Sequence, residues 1–208
     1  MFRLKDLAII DIFTDGSLHT PRKPGIDQNR VVDDLEKISM GAGFVIQQDE
    51  SLFSFAKIKN WPSSTRAELA AIFLALLTVP EAALINIHTD SLCAIQAIQQ
   101  FRHTSARNWL KSTNSLWLLH IDYIIREKNL NVQFNKIKRH SGIRLNDRAD
   151  ELATLGRDSD RVVDINFNYS NHRTIKFFPS FFNYPIDISF VNLQSPSSIP
   201  QGALNGPF

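Results

Sequence analysis

Four acidic residues stand at positions where a chain of this pattern can do chemistry. Asp15, in Thr14-Asp15-Gly16-Ser17, follows a run rich in β-branched residues. Glu68, in Thr65-Arg66-Ala67-Glu68-Leu69, opens a helical pattern, and Asp90, in Thr89-Asp90-Ser91, follows a second apolar run. Asp150 lies near the start of the last helical pattern, in Asn146-Asp147-Arg148-Ala149-Asp150, after a basic loop that carries His140. Each has an ordinary structural role as well. Asp15-Gly16 is a turn signal, Thr65-x-x-Glu68 a capping box, Asp90 a helix cap, and Asp150 an acid favoured by the helix dipole. His140 can equally be an ordinary loop histidine.

The conjunction is what those separate roles explain poorly. Two carboxylates end strands and two open helices, so all four can meet at one edge of one sheet. Four anions cannot share a dry cluster without a counter-charge, because each drives the others' pKa upward. Divalent cations with hard oxygen ligands supply that charge, which points to Mg²⁺, with Mn²⁺ as a substitute. A carboxylate cluster holding two ions is the arrangement that supports in-line displacement at phosphorus.

The elements that must position these groups are legible from periodicity. Leu7–Thr14, Gly41–Gln47, Leu52–Ile58, Ala83–His88 and Leu130–Lys138 read as strands, the second and third joined as a hairpin. Ser63–Thr78 reads as a helix stopped by Pro80, and Leu92, Ile95, Ile98 and Phe101 mark a second helix. A third falls within Ser112–Lys128 and a fourth spans Asn146–Gly156, with Gly156 at its cap. The order β-β-β-α-β-α-α-β-α predicts an α/β fold: a five-stranded mixed sheet, an antiparallel meander and then parallel strands, flanked by helices. In such sheets, reactive groups gather beyond the carboxyl ends of parallel strands, where Asp15 and Asp90 fall.

Composition narrows the class. The 208 residues are 43% hydrophobic and 21% charged, enough for a packed core. Lys and Arg total 23 against 21 Asp and Glu, so nucleic-acid binding must rest on a local patch rather than bulk charge. Lys136, Lys138, Arg139, His140, Arg144 and Arg148 form one beside the expected site. A single cysteine, Cys93, excludes an internal disulfide framework, and no apolar run approaches membrane-spanning length. The expectation is a soluble, monomeric, intracellular chain, cytoplasmic or nuclear. Residues 1–156 are expected to form the catalytic domain, with 18–40 as an inserted loop. Residues 157–208 form an extension rich in Phe, Asn, Ser and Pro, expected to be partly disordered; seven of the 15 Phe fall after residue 160.

Taken together, the motifs around Asp15, Glu68 and Asp90, with His140-Ser141-Gly142 and Asn146-Asp147-x-Ala149-Asp150, resemble the type 1 ribonuclease H family. The 22-residue step from Glu68 to Asp90 and the 10-residue step from His140 to Asp150 match its pattern. The wording Ser-Ser-Thr-Arg-Ala-Glu-Leu and His-Ser-Gly looks most like domains of retrotransposon polyproteins. The resemblance covers about residues 5–156 and implies an RNase H-like fold. It also implies a two-metal endonuclease that cuts the RNA strand of RNA/DNA hybrids and leaves 3′-hydroxyl and 5′-phosphate ends. A reverse transcriptase is then a candidate partner in the ancestral polyprotein. On this resemblance Asp15 bridges both ions, Glu68 and Asp90 hold one and Asp150 the other, while His140 assists departure of the leaving group or product. Gly16, Ser17, Ser63 and Ser64 would meet the minor groove, and Ser63 and Thr65 the DNA phosphates. Asn146 falls near the scissile side, and Lys138 and Arg139 add phosphate contacts.

Three features depart from the family pattern. The segment 18–40 is long, Leu92 stands where many members carry glutamine, and Arg102–Lys111 is too short for the extra helix and basic handle of many cellular members. Trp109 and Trp117 read as core residues. The alternative function is a catalytically weak or inactive retroelement-derived nucleic-acid-binding module, and a third is a metal nuclease acting on DNA junctions or single strands.

Overall fold

Period-2 burial organises the first strand, β1 (Ile10–His19): Ile10, Ile12 and Thr14 face one side of the sheet, and Asp11, Phe13 and Asp15 the other. The computed structural model describes residues 4–20, 38–109, 112–139 and 142–163, with the short pairs 180–181 and 184–185. After β1 come β2 (Ser39–Ile46), β3 (Asp49–Ile58), α1 (Ser64–Thr78), β4 (Leu84–Thr89) and α2 (Leu92–Arg102). A single helical turn, α3 (Ala106–Trp109), leads to α4 (Ser115–Glu127), β5 (Asn131–Lys136), α5 (Arg144–Asp158) and β6 (Val162–Val163).

The sheet runs β5-β4-β1-β2-β3-β6, antiparallel through β1-β2-β3 and parallel for β1-β4, β4-β5 and β3-β6. The expected meander followed by parallel strands is therefore present, but with six strands rather than five. The sixth, Val162–Val163, pairs with Lys57 and Ile58 and is too short to stand out by periodicity. It carries the sheet past residue 156, the expected domain limit. Of the remaining extension, Ser180–Phe181 pairs antiparallel with Tyr184–Pro185, and the rest lies outside the described residues.

The long connection also begins later than expected. Leu18 and His19 pair with Met40 and Ser39, so both ends of 18–40 are strand; residues 21–37 lie outside the described residues. Asp15-Gly16 is not a turn, because the ladder continues through it: Asp15 opposes Gly43 and Gly16 opposes Ala42.

Two cores sandwich the sheet. On one face α1, flanked by α2 and α4, buries Leu69, Ile72 and Leu76 against Ile10, Ile12, Phe44, Ile85 and Ile87. Because α1 lies between the sheet and other helices, every residue from Arg66 to Leu76 is buried. Trp117 is buried with its ring edge on Phe73, and Trp109 stacks on Phe101, so both tryptophans belong to the core as expected. On the other face α5 lays Leu145, Ala149 and Leu152 on Phe13 and Val45. That helix approaches closely: a Cβ on Gly43 would lie 2.4 Å from the Ala153 nitrogen. Gly156 serves the same approach, its notional Cβ 2.6 Å from the Ala56 oxygen; it sits within α5, and the cap is Ser159. Among the described residues, no helix is long and apolar enough to cross a membrane.

Candidate active site

The sheet opens where β1 outruns its neighbour. Strand β4 pairs with β1 only over Ile10–Phe13, against Ile85–His88, so at Asp15 one edge of β1 has no strand partner among the described residues. Asp90 follows the last residue of β4, directly beside that gap. From the other side comes Glu68, on the second turn of α1, which can approach because residue 16 is glycine. A Cβ at Gly16 would lie 2.3 Å from the backbone nitrogen of Glu68. Carboxylate oxygens of Asp15, Glu68 and Asp90 lie within 4.8 Å of one another. Asp150, exposed on α5, lies near enough for its charge to act on Asp15. Three of the four predicted carboxylates therefore converge, and the fourth, Asp150, borders them.

Their ordinary structural roles are filled by other residues. Ser63, not Thr65, caps α1 through its hydroxyl and the Arg66 N–H, leaving Glu68 to point into the cluster. Ser91, not Asp90, caps α2 by accepting from the Ala94 N–H. Helix α5 begins at Arg144, so Asp150 stands in its second turn rather than its first.

Crowding leaves an electrostatic signature. Asp15 is 8% exposed; burial first, then the charges of Asp90 and Asp150, push its carboxyl up to about 7, although the Gly16 N–H donates to it at 2.9 Å. Glu68, also 8% exposed, is driven well above the carboxylate range by burial and by Asp15 and Asp90. Its Oε2 is buried with no hydrogen-bond partner among the described residues. An orphaned hard oxygen among acids that resist ionising suits a divalent cation, so the donor set fits Mg²⁺.

The remaining predicted residues are less uniform. Gly16 and Ser17 line the free edge of β1, and the Ser17 hydroxyl accepts from Arg157 at 3.3 Å. Ser64 is exposed and Thr65 partly so, whereas Ser63 is engaged as the cap. Asn146 is buried, with its Oδ1 unpartnered among the described residues. Lys138 is exposed, and Arg139 places its Nε 3.6 Å from Asp90 Oδ2. His140 lies outside the described residues. Leu92 is half-exposed next to Asp90, presenting an apolar surface there. Arg139 as a partner of Asp90 was not foreseen; the register of β5 with β4 is what brings it there. Nor does the sequence signal the buried contact of Arg66 with Asn114 at 3.4 Å, beneath which Trp117 lies. No periodic signal marks an arginine that faces inward.

Comparison with known proteins agrees with this geometry. The family model for RNase H matches residues 8–158. A ribonuclease H from Actinobacillus pleuropneumoniae is 27% identical over 170 residues, covering 78% of this chain and 99% of its own. One from Haemophilus influenzae is 30% identical over 166 residues, covering 76% and 96%. One from Yersinia enterocolitica is 28% identical over the same length and shares. The chain belongs to the RNase H family, a family of hydrolytic nucleases.

Proposed function

We propose that this enzyme hydrolyses the RNA strand of RNA/DNA hybrids, leaving 3′-hydroxyl and 5′-phosphate ends. The observation that carries this reading is the convergence of Asp15, Glu68 and Asp90 within 4.8 Å at the open edge of the sheet, in a chain of the RNase H family. On this reading Asp15, Glu68, Asp90 and Asp150 would hold two divalent ions, with Asp15 contributing to both, Glu68 and Asp90 to one and Asp150 to the other. Mg²⁺ or Mn²⁺ bound there would supply positive charge for the attacking water and for the leaving oxygen.

The chain's own groups do the rest. His140 donates a proton to the departing 3′-oxygen, a role suited to an imidazole whose unperturbed pKa lies near neutrality. Backbone at Gly16-Ser17 and Ser63-Ser64 reads the 2′-hydroxyl that distinguishes RNA from DNA. Ser63 and Thr65 hold the DNA strand's phosphates, Asn146 lies on the scissile side, and Lys138 and Arg139 bind backbone phosphate. With this small basic patch, affinity for hybrid is modest and falls with salt. The enzyme is read as an intracellular monomer, in cytoplasm or nucleus. A retrotransposon ancestry, with a reverse transcriptase alongside, rests on the wording Ser63-Ser64-Thr65-Arg66-Ala67-Glu68-Leu69 and His140-Ser141-Gly142; the relatives compared are bacterial.

The test is cleavage of end-labelled hybrid in Mg²⁺ and in chelator, beside RNA-duplex and DNA-duplex controls. RNA cut only in hybrid and only with metal supports the reading. Binding without cleavage in either Mg²⁺ or Mn²⁺ establishes the non-catalytic module instead.

A further inference from the structure

Among the described residues, Arg139 is the cation that the structure pairs with the acidic cluster. Strand β5 runs parallel to β4 up to Lys136 opposite Thr89, and the Ile137 N–H then bonds the Thr89 oxygen at 3.0 Å. That register delivers the next turn of chain to the carboxyl end of β4. There the Arg139 guanidinium stands 3.6 Å from Asp90 Oδ2, and its charge is also felt at Glu68, where it opposes the effects of Asp15 and Asp90. The arginine side chain is 76% exposed while Asp90 is only 10% exposed, so the guanidinium lies over the mouth of the cluster with a free path to solvent.

A guanidinium keeps its charge at every working pH and meets carboxylates by hydrogen bonding, whereas a hard divalent ion takes the same oxygens as ligands. The two cannot share Asp90 without like-charge repulsion at a few ångströms. We propose that Arg139 is a resident counter-cation of the acidic cluster that competes with divalent metal for Asp90, and so sets how tightly the free enzyme takes up metal. The proposal rests on the metal-dependent site described under the proposed function. Lys138, one residue earlier and also exposed, carries the same charge without the contact to Asp90, which makes it the natural control for a general field effect.

The experiment is a calorimetric Mg²⁺ titration of the full chain without nucleic acid, with thermal melts in chelator at pH 8. The proteins compared are the wild type, Arg139→Ala, Arg139→Lys and Lys138→Ala. Removing one exposed ion-pair partner should tighten Mg²⁺ roughly three- to tenfold in Arg139→Ala. The same variant should melt earlier in chelator, because the crowded carboxylates lose their only described cation. Arg139→Lys should stay near the wild type, and Lys138→Ala should change Mg²⁺ affinity less than about twofold. If the wild type binds Mg²⁺ and Arg139→Ala binds it no better, the competition is refuted while the metal site stands. Equal tightening in Lys138→Ala refutes it too, in favour of a diffuse field. If neither protein takes up Mg²⁺, the metal-dependent reading fails, and this proposal with it.

Discussion

Asp11 and Asp15 stand four residues apart on β1, on the same face of the sheet, and meet opposite fates. Asp11 accepts from Asn86 at 3.0 Å and from Gln48 at 3.1 Å and pairs with His88 at 2.9 Å. Burial alone would raise its carboxyl, but these partners outweigh it and hold the group below the ordinary value. Asp15 is offered one backbone N–H and three carboxylates, and its carboxyl rises to about 7. One acid is satisfied by the fold, and the other is left unsatisfied by it. A side chain whose environment opposes its own charged form marks where selection has favoured chemistry over stability. Breaking each site should therefore have opposite consequences.

The largest effect falls on turnover. Asp15→Asn or Asp90→Asn should lower hybrid cleavage by roughly a thousandfold or more while the circular dichroism spectrum and hybrid binding in chelator stay near the wild type. Asp11→Asn should leave the cleavage rate within a few-fold. Equal losses at both positions would erase the distinction between them. Next comes Gly16→Ala, which bears on the geometry that lets Glu68 approach at all. Its new methyl would meet backbone of α1 at 2.3 Å, and backbone cannot step aside as a flexible side chain can. A loss of about 3 kcal/mol in denaturant melts is expected, with cleavage reduced even in the molecules that remain folded.

That glycine also explains what was legible in the sequence and what was not. Strand and helix periods placed every long element, and with them the convergence of Asp15, Glu68 and Asp90, with Asp150 beside it. Local motifs misled where a tertiary approach decided the outcome. Asp15-Gly16 carries a turn signal, yet the glycine is there to admit a helix, so the strand runs on to His19. Gly156 resembles a cap for the same reason and lies inside its helix against β3 and β2. Thr65-x-x-Glu68 satisfies the capping-box rule, but Ser63 two residues earlier wins the cap. The two-residue β6 offers no period to read, and Arg139 reaches Asp90 only through the register of β5 with β4.

The metal-free protein should show the next effect, and its sign follows from the direction of the shift. With a folded value near 7 against an ordinary 3.8, Asp15 keeps a proton in the native state that it loses when unfolded. Between about pH 4 and pH 7 the folded state therefore binds more protons, and stability in chelator falls as pH rises through that window. Asp15→Asn removes the penalty. In chelator at pH 8 it should stabilise the protein by on the order of 2 kcal/mol, less than the full shift would give because the amide is itself a polar group left buried there. Added Mg²⁺ should stabilise the wild type and do little for the variant. A variant that melts earlier than the wild type in chelator would mean that Asp15 is not the strained acid described here.

Asp11 supplies the smallest effect, with the opposite sign. Its folded value is lowered, so the native state releases a proton that the unfolded chain holds, and the contribution is present above about pH 4 and lost as pH falls through the folded value. Asp11→Asn keeps the shape and one acceptor oxygen but surrenders the charge that holds His88 and faces Asn86 and Gln48. A loss of about 1 kcal/mol at pH 7 is expected, the usual scale for hydrogen bonds to a charged group in a partly exposed setting. Because His88 stacks on Phe13 at 4.5 Å, the ring keeps an apolar support when its acid is gone, which limits the damage. Urea titrations at pH 7 and pH 3 separate the cases: the difference between Asp11→Asn and wild type should shrink at the lower pH. A difference that holds constant across that range would assign the loss to packing rather than charge.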